Sequence, residues 1–385
     1  MSNSTNNDWI LPLYKIYTDD EDIQIITKII KRGSNWAIGP EILEFENEIK
    51  NRIGVNYCLT LNSGTSALHA ALLANNISNS DEVIIPSFSF IATANMVSLV
   101  NAHPIFCDIE EETFGLDPKK ISTLITENTR AILPMDYGGL SCKIFDIQNI
   151  AKEHDLLLIE DAAESFGSTI KNKNVGSISD ISIFSFCGNK VLTTGEGGAI
   201  VTNSKDVYDK IKLIRSHGRI DKKNYFDDTS TPDYLNPGYN WRMSSITASL
   251  GISQIQKLDK IIEARRNNSH YISSRISKYE QICVPNEPID SKHIFQMYSV
   301  LLQNKEMRNA LQQYLLSKRI FSKIYFEPIH RTEYYRNLNI NDNMQLEITD
   351  RISDHILTLP IYPNMTNEEQ NYLTDSIGEF FENYS

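Results

Sequence analysis

A single lysine separates an apolar run from a glycine-rich turn in the stretch "FSFCGNKVLTTGEGGAIVT", residues 184–202. Lys190 follows the predicted strand "ISIFSF", and open α/β sheets bind ligands beyond the carboxyl ends of their strands. Burial can lower the pKa of a lysine amine from about 10.4, so that the amine can react with an aldehyde or carry protons. Gly195, Gly197 and Gly198 are expected to adopt backbone angles that turn the chain sharply into the next strand, "GAIVT". We exclude a dinucleotide-binding loop, because the motif GxGxxG is absent and no helix follows.

A phosphate site is expected at a second strand end, in "CLTLNSGTSALHAA", residues 58–71. The N-terminus of a helix offers free N–H groups and a partial positive charge, and Gly64 lets the backbone approach a ligand closely. Thr65 adds a hydroxyl group. The alternative is that Ser63 or Thr65 simply caps the helix.

A carboxylate ends a third strand, because Asp161 follows the apolar run "LLLIE". It could pair with a cation or cap the next element, and the sequence leaves both open. If Gly64, Thr65, Asp161, Ser185 and Lys190 converge on one sheet edge, they meet the needs of pyridoxal 5'-phosphate. The lysine would condense with the aldehyde, the carboxylate would keep the pyridine nitrogen protonated, and amides and hydroxyls would hold the phosphate.

Two aromatic side chains, Phe88 and Phe90 in "IPSFSFIATAN", are candidates to cover the face of the cofactor ring. Taken alone, either of them would be better explained by packing in the hydrophobic core.

These strand ends belong to a regular alternation of strands and helices between about residues 55 and 205. Helical patterns lie between several of the strands, such as "SALHAALLANN" and "IFDIQNIAKEHD". The pattern predicts an α/β domain with a mostly parallel central sheet covered by helices on both faces. Its predicted strands are "NYCLTL" (56–61), "EVIIP" (82–86), "PIFCDI" (104–109), "RAILPM" (130–135), "LLLIE" (156–160) and "ISIFSF" (181–186).

The pattern changes near residue 250, where "SITASLGISQIQKLDKIIEARRNNSHYISSRI" predicts a long amphipathic helix. Short strands and helices follow. We therefore predict a large cofactor-binding domain over residues 31–250 and a smaller α+β domain over residues 251–385, with residues 1–30 packing on the smaller domain.

The composition limits which partners the protein can have and in which cellular compartment it is expected to work. The 385 residues carry a net charge of −12, which argues against a nucleic-acid partner. No apolar run approaches the ~20 residues of a membrane span, and the start, "MSNSTNNDWI", lacks the features of a signal peptide. The five cysteines are scattered and never form CxxC, which argues against zinc and disulfides and favours the cytoplasm.

A set of motifs in a fixed order resembles the DegT/StrS sugar aminotransferase family. The resemblance covers almost the whole chain from "LPLYK" onward and implies the fold-type-I aminotransferase architecture. It also implies a homodimer with composite active sites, in which the cofactor alternates between pyridoxal phosphate and pyridoxamine phosphate. The amino group would pass from glutamate to a keto-sugar carried on a nucleotide. The motifs are "NSGTSAL", "IPSFSFIATAN", "EDAAES", "FSFCGNKVLTTGEGG", "RSHG", "PGYNWRMSSITASLGISQIQKLD" and "LTLPIYPNMT".

The resemblance assigns roles by position. Lys190 matches the lysine that binds the cofactor covalently and moves protons, and Asp161 matches the partner of the pyridine nitrogen. Glu164 matches a residue near the ring hydroxyl, and Phe90 matches the aromatic that stacks on the ring. Asn240 matches an asparagine that reaches the phosphate in the other subunit, although it could equally cap the following helix. The matched phosphate ligands are Gly64, Thr65 and Ser185.

The form "SFCGNK" resembles that of the GDP-perosamine synthases within the family, although Cys187 stands where a bulky residue is expected and is interpreted as a packing residue. This favours amination at C4 of GDP-4-keto-6-deoxymannose. The alternatives are a UDP- or dTDP-linked keto-sugar, or a non-catalytic nucleotide-sugar-binding protein on the same fold. A basic cluster could meet the pyrophosphate of the substrate or form a solvated loop; it comprises Arg215, His217, Arg219, Lys222 and Lys223.

Overall fold

The computed structural model describes residues 9–220, 229, 231–338 and 345–383. Its helices are α1 Asp20–Arg32, α2 Pro40–Ile53, α3 Gly64–Ala74, α4 Ile91–Leu99, α5 Pro118–Ile121, α6 Ile144–Glu153, α7 Lys205–Ile214, α8 Ser245–Gln256, α9 Leu258–Ile276, α10 Lys305–Ser317, α11 Glu333–Asn337, α12 Glu347–His355 and α13 Asn367–Asn383. Its strands are β1 Tyr57–Leu61, β2 Glu82–Pro86, β3 His103–Cys107, β4 Thr129–Ile132, β5 Leu157–Asp161, β6 Thr169–Ile170, β7 Lys173–Asn174, β8 Ile181–Ser185, β9 Gly198–Thr202, β10 Arg219–Ile220, β11 Asp233–Tyr234, β12 Ile282–Cys283, β13 Ser291–Lys292, β14 Tyr298–Leu302 and β15 Ile356–Leu359.

The central sheet has seven strands among the described residues, in the order β1-β9-β8-β5-β4-β2-β3. β9 runs antiparallel to β1 and β8, and the other pairings are parallel. The predicted mostly parallel sheet is therefore confirmed, and each predicted strand lies within a few residues of its observed position. Because β1, β2, β4, β5 and β8 run the same way, their carboxyl ends meet at one edge of the sheet.

Helices cover both faces of this sheet. Because alternate residues of a strand point to opposite sides, one strand contributes side chains to the core on each face. In β2, Val83 and Ile85 share a core with residues of α3 and α4, such as Leu68 and Val97. Ile84 between them packs in a separate core with residues of α6. A strand buried on both faces must be apolar throughout, which explains the continuous apolar runs in the sequence.

The C-terminal part is built on the antiparallel sheet β12-β14-β15, whose core includes side chains from α9, α10 and α13. The described residues of the N-terminal segment contact two different parts of the chain. Trp9 contacts Phe321 with ring centroids 5.0 Å apart, whereas Asp22 of α1 accepts a hydrogen bond from Gln254 of α8. Residues 1–8 lie outside the described part, and the domain boundaries at residues 30 and 250 stay a prediction.

The predicted continuous helix over residues 245–276 is wrong in one respect. It is divided at Lys257 into α8 and α9. Ile252 of α8 packs against the central sheet, and α9 begins in that same core with Leu258 and ends in the C-terminal core with Ile276. In the described ranges no helix is both long enough and apolar enough to cross a membrane.

Candidate active site

A cavity of about 340 Å³ opens at the carboxyl edge of the central sheet. Its lining comes from the ends of β1, β5 and β8, from the start of α4, and from residues 325–326 of the C-terminal part. Of the residues to which the resemblance assigns roles, all but Asn240 line this cavity: Gly64, Thr65, Phe90, Asp161, Glu164, Ser185 and Lys190.

Lys190 points its amine at a carboxylate inside the cavity. Its Nζ donates a hydrogen bond of 3.0 Å to Oε1 of Glu164. The other carboxylate oxygen, Oε2 of Glu164, accepts a hydrogen bond of 3.0 Å from the backbone N–H of Gly138. Both side chains are largely buried, with 14% and 6% of their surfaces exposed. A largely buried amine beside a fixed carboxylate can pass or hold a proton without rearranging solvent.

Asp161 lies at the end of β5 with 4% of its surface exposed. Its Oδ2 accepts a hydrogen bond of 2.8 Å from Thr93 Oγ1, and its Oδ1 accepts one of 3.3 Å from the N–H of Ala163. Burial raises the pKa of the carboxyl to about 6, while the hydrogen bond from Thr93 acts in the opposite direction. Asp161 is therefore ionised above about pH 6, with lone pairs left for a cationic partner in the cavity.

The N-terminus of α3 forms another wall of the cavity. Ser63 caps this helix, since its Oγ accepts a hydrogen bond of 3.0 Å from the N–H of Ser66. The predicted cap is therefore present, and it leaves Gly64 and Thr65 on the cavity surface, where first-turn N–H groups have no acceptor within the helix. A Cβ on Gly64 would lie 2.8 Å from Cβ of Ser185, so only glycine fits beside this second strand end.

The glycines after Lys190 serve two different purposes. Gly195 has φ +83° and makes the turn, as predicted. The prediction of unusual backbone angles is wrong for Gly197 and Gly198, neither of which has a positive φ. At Gly198 the reason is space, because a Cβ there would lie 2.4 Å from the carbonyl oxygen of Ser63. Glycine at this position lets β9 pack directly against the start of α3.

The structure places the two candidate aromatic residues in different environments. Phe88 is fully buried in the core, whereas Phe90 is 57% exposed and lines the cavity. Tyr325 and Phe326 also line it and were not predicted, since no local pattern marks them. Thr93 was missed as well; it lies in the first turn of α4, three residues after Phe90.

Cys187 was interpreted as a packing residue, but it lines the cavity and is only partly buried. Its Sγ lies 3.7 Å from Oε1 of Glu196, which is exposed and also lines the cavity. The residue that departs from the expected bulky side chain therefore lies in the site itself.

Asn240 is the predicted residue that the single chain does not bring to the cavity. It is exposed and forms a backbone bridge to Ser216. The alternative role as a helix cap is wrong, because Ser244 caps α8 by accepting a hydrogen bond of 3.1 Å from the N–H of Thr247.

Of the predicted basic cluster, the structure describes Arg215, His217 and Arg219. Nη1 of Arg215 lies 2.6 Å from Oε1 of Glu46 and 2.7 Å from the carbonyl oxygen of Thr60, which is a structural contact beneath β1. Lys222 and Lys223 lie outside the described residues.

The groups in the cavity fit pyridoxal 5'-phosphate. Backbone donors at the start of α3 and the hydroxyls of Thr65 and Ser185 suit a phosphate. The carboxylate of Asp161 suits a protonated pyridine nitrogen, and Lys190 supplies the amine that the aldehyde requires. Phe90 offers an exposed ring at the cavity wall.

Comparisons with known proteins match almost the whole chain. A model of the DegT/DnrJ/EryC1/StrS aminotransferase family matches residues 17–378. The GDP-perosamine synthase of Escherichia coli O157:H7 is 34% identical over 373 residues, which are 96% of this chain and 98% of that protein. A transaminase of Campylobacter jejuni subsp. jejuni serotype O:23/36, named for UDP-4-amino-4,6-dideoxy-N-acetyl-beta-L-altrosamine, is 33% identical over 94% of this chain and 96% of that protein. The structure of Helicobacter pylori PseC, an aminotransferase involved in the biosynthesis of pseudoaminic acid, matches with a TM-score of 0.90 and 27% identity over 97% of this chain and 100% of that one.

Proposed function

The chain belongs to the DegT/DnrJ/EryC1/StrS aminotransferase family, and we propose that it transfers the amino group of glutamate to C4 of GDP-4-keto-6-deoxymannose to give GDP-perosamine. The enzyme is an aminotransferase of fold type I with pyridoxal 5'-phosphate as its cofactor. The observation that carries the aminotransferase part of the proposal is the meeting of Lys190, Glu164 and Asp161 in one cavity at the sheet edge.

The proposed roles of the residues follow from their contacts. When bound, pyridoxal phosphate supplies an electron sink that draws charge from the reacting carbon. Asp161 would hold the pyridine nitrogen in its protonated form, which strengthens that sink. Nζ of Lys190 would move the proton between the substrate carbon and the cofactor, acting as base and then as acid. Glu164, at 3.0 Å from that Nζ, would stabilise the protonated amine between these steps.

The substrate proposal rests on similarity to GDP-perosamine synthases, which are 34%, 35% and 30% identical to this chain over most of its length. A UDP-linked 4-keto-sugar is the second candidate, since the Campylobacter jejuni transaminase is 33% identical. Either nucleotide would supply binding energy that positions the keto carbon, without altering any residue assigned to the cofactor.

We expect the GDP-linked 4-keto-6-deoxy sugar to be preferred when both sugars compete for labelled glutamate. The measurement is the ratio of kcat/KM values from the label in each product. A ten-fold preference corresponds to about 1.4 kcal/mol of transition-state stabilisation. The same preference for the UDP sugar would refute the proposed substrate and leave the aminotransferase assignment standing. Label in neither sugar would refute both candidates.

We expect the active form to be a homodimer in which Asn240 reaches the phosphate site of the other subunit. An interface of this kind buries on the order of 2,000 Å² or more. Sedimentation velocity on the holoenzyme should give a dimer, and Asn240→Ala should release the cofactor faster without changing its sedimentation. A fully active monomer is incompatible with the shared site.

We also place the enzyme in a reducing compartment, the cytoplasm. All five cysteines are free thiols, and Cys58, Cys107 and Cys142 are buried. Oxidising compartments favour paired cysteines.

A further inference from the structure

We propose that Gln296 positions the catalytic lysine by holding the two peptide groups on either side of it. Its side-chain Oε1 accepts a hydrogen bond of 2.7 Å from the N–H of Val191. Its Nε2 donates a hydrogen bond of 2.8 Å to the carbonyl oxygen of Asn189. One planar amide group therefore spans Lys190 from the residue before it to the residue after it.

The turn that carries Lys190 is closed by backbone hydrogen bonds of Phe186 with Gly197 and Thr194, and the contacts of Gln296 are the ones that reach the residues next to the lysine. The turn lies between β8 and β9, outside any strand. The N–H of Lys190 donates a hydrogen bond of 2.9 Å to the carbonyl oxygen of Cys187. Gln296 is 5% exposed and Val191 is 5% exposed, so water cannot readily replace the amide. Losing the side chain would leave a buried N–H without an acceptor, and the turn would be free to shift.

The segment that carries Gln296 is hydrogen-bonded to residues 138–139, and this pair is linked through Glu164 to the lysine amine. The N–H groups of Ile294 and Met297 donate to the carbonyl oxygens of Gly139 and Gly138, each at 3.0 Å. The N–H of Gly138 donates in turn to Glu164, which accepts from Nζ of Lys190. The contact between residues 138–139 and residues 294–297 thus supports both the backbone and the amine of Lys190.

A buried arginine fixes the same segment from the other side. Nη1 of Arg265, in α9, donates to the carbonyl oxygens of Phe295 at 2.9 Å and Gln296 at 3.4 Å. Gln296 does not line the cavity, so it acts through the residues that it holds, Asn189 to Val191, and is a positioning residue. The inference rests on the proposed role of Lys190 in catalysis.

The test is Gln296→Met, which keeps the length of the side chain and removes both hydrogen bonds. We expect kcat to fall by about ten-fold to about a hundred-fold, with KM for glutamate little changed, because a small misplacement of a reacting group has effects of this size. In the cofactor-free protein, the amide of Val191 should exchange its hydrogen about ten-fold faster or more, while amides of β5 keep their wild-type rates.

The matched control is Gln370→Met. Gln370 is 6% exposed and its Nε2 donates to Oδ1 of Asn268 at 2.8 Å, far along the chain from the lysine. This variant loses a similar buried hydrogen bond, so it should lose stability but keep the wild-type kcat and the slow exchange at Val191. Equal losses of kcat in both variants would overturn the proposal.

A second variant, Gln296→Glu, keeps the test valid if Gln296→Met does not fold. A neutral carboxyl can accept from Val191 and donate to Asn189, whereas a carboxylate cannot donate, and burial favours the neutral form. The ratio of variant to wild-type kcat should therefore rise as the pH falls. A ratio independent of pH, or unchanged exchange at Val191 in Gln296→Met, would overturn the proposal. If Val191 exchanges faster in Gln296→Met but the wild-type cofactor is trapped on another lysine, the contact between Gln296 and the turn is supported. The proposed role of Lys190 is then refuted.

Discussion

Replacing Lys190 with alanine is expected to abolish turnover while the fold survives. Nζ of Lys190 is the amine that lines the cavity and contacts Glu164, and no other lysine lines that cavity within the described ranges. Without it, neither covalent attachment of the cofactor nor the proton transfer has a group to perform it, and losing a general base alone costs about 10²-fold to 10⁴-fold in rate. The measurement is the rate of product formation from glutamate, with the melting temperature as the check on folding.

Borohydride reduction provides a direct readout of the same assignment. In the wild-type holoenzyme the cofactor should be trapped at Lys190, which then resists trypsin, so the label should appear on the peptide spanning residues 174–205. The matched control is Lys323→Ala: Lys323 lies 4.6 Å from the ring centroid of Tyr325, close to the cavity but outside its lining. This variant should be trapped like the wild type. Label on a different peptide, or turnover by Lys190→Ala at the wild-type rate, would show that the wrong lysine has been assigned.

Replacing Asp161 with asparagine is expected to lower kcat by about 10²-fold to 10³-fold, the usual loss when one preorganised charge is removed from an active site. The amide has nearly the same shape but cannot hold a proton on the pyridine nitrogen by charge pairing. We also expect a difference in pH dependence. Burial raises the pKa of Asp161 to about 6, so the wild-type protein should bind cofactor less tightly as the pH falls through that value. The affinity of Asp161→Asn for the cofactor should not show this change with pH.

Asp136→Asn is the matched control for this substitution. Asp136 is fully buried and burial raises its pKa to about 6 as well, but it does not line the cavity. Its carboxylate accepts from Ser165 Oγ at 2.7 Å and from the N–H of Cys142 at 2.8 Å, which are structural contacts. Steady-state kcat and cofactor retention after dialysis should stay near wild type. If Asp161→Asn keeps its kcat, or if Asp136→Asn loses as much, the proposed role of Asp161 is wrong.

Local sequence pattern was sufficient for the sheet and for part of the site. Apolar runs that end in polar residues predicted β1, β5 and β8, and with them the positions of Gly64, Asp161 and Lys190 at strand ends. This works because a parallel sheet brings the carboxyl ends of its strands to one edge, whatever the details of packing. The order of motifs added Glu164, which also lines the cavity.

Tertiary structure alone decided how these groups are held. Thr93 bonds Asp161 across 68 residues of chain, and Gln296 bonds Val191 across 105. Tyr325 and Phe326 enter the cavity from the C-terminal part, where no periodicity distinguishes them from core residues. Such contacts depend on the side-chain directions of two separately folded segments and on the distance between them. A pattern within one segment contains neither quantity, so the residues that position Lys190 and Asp161 emerge only when the chain is folded.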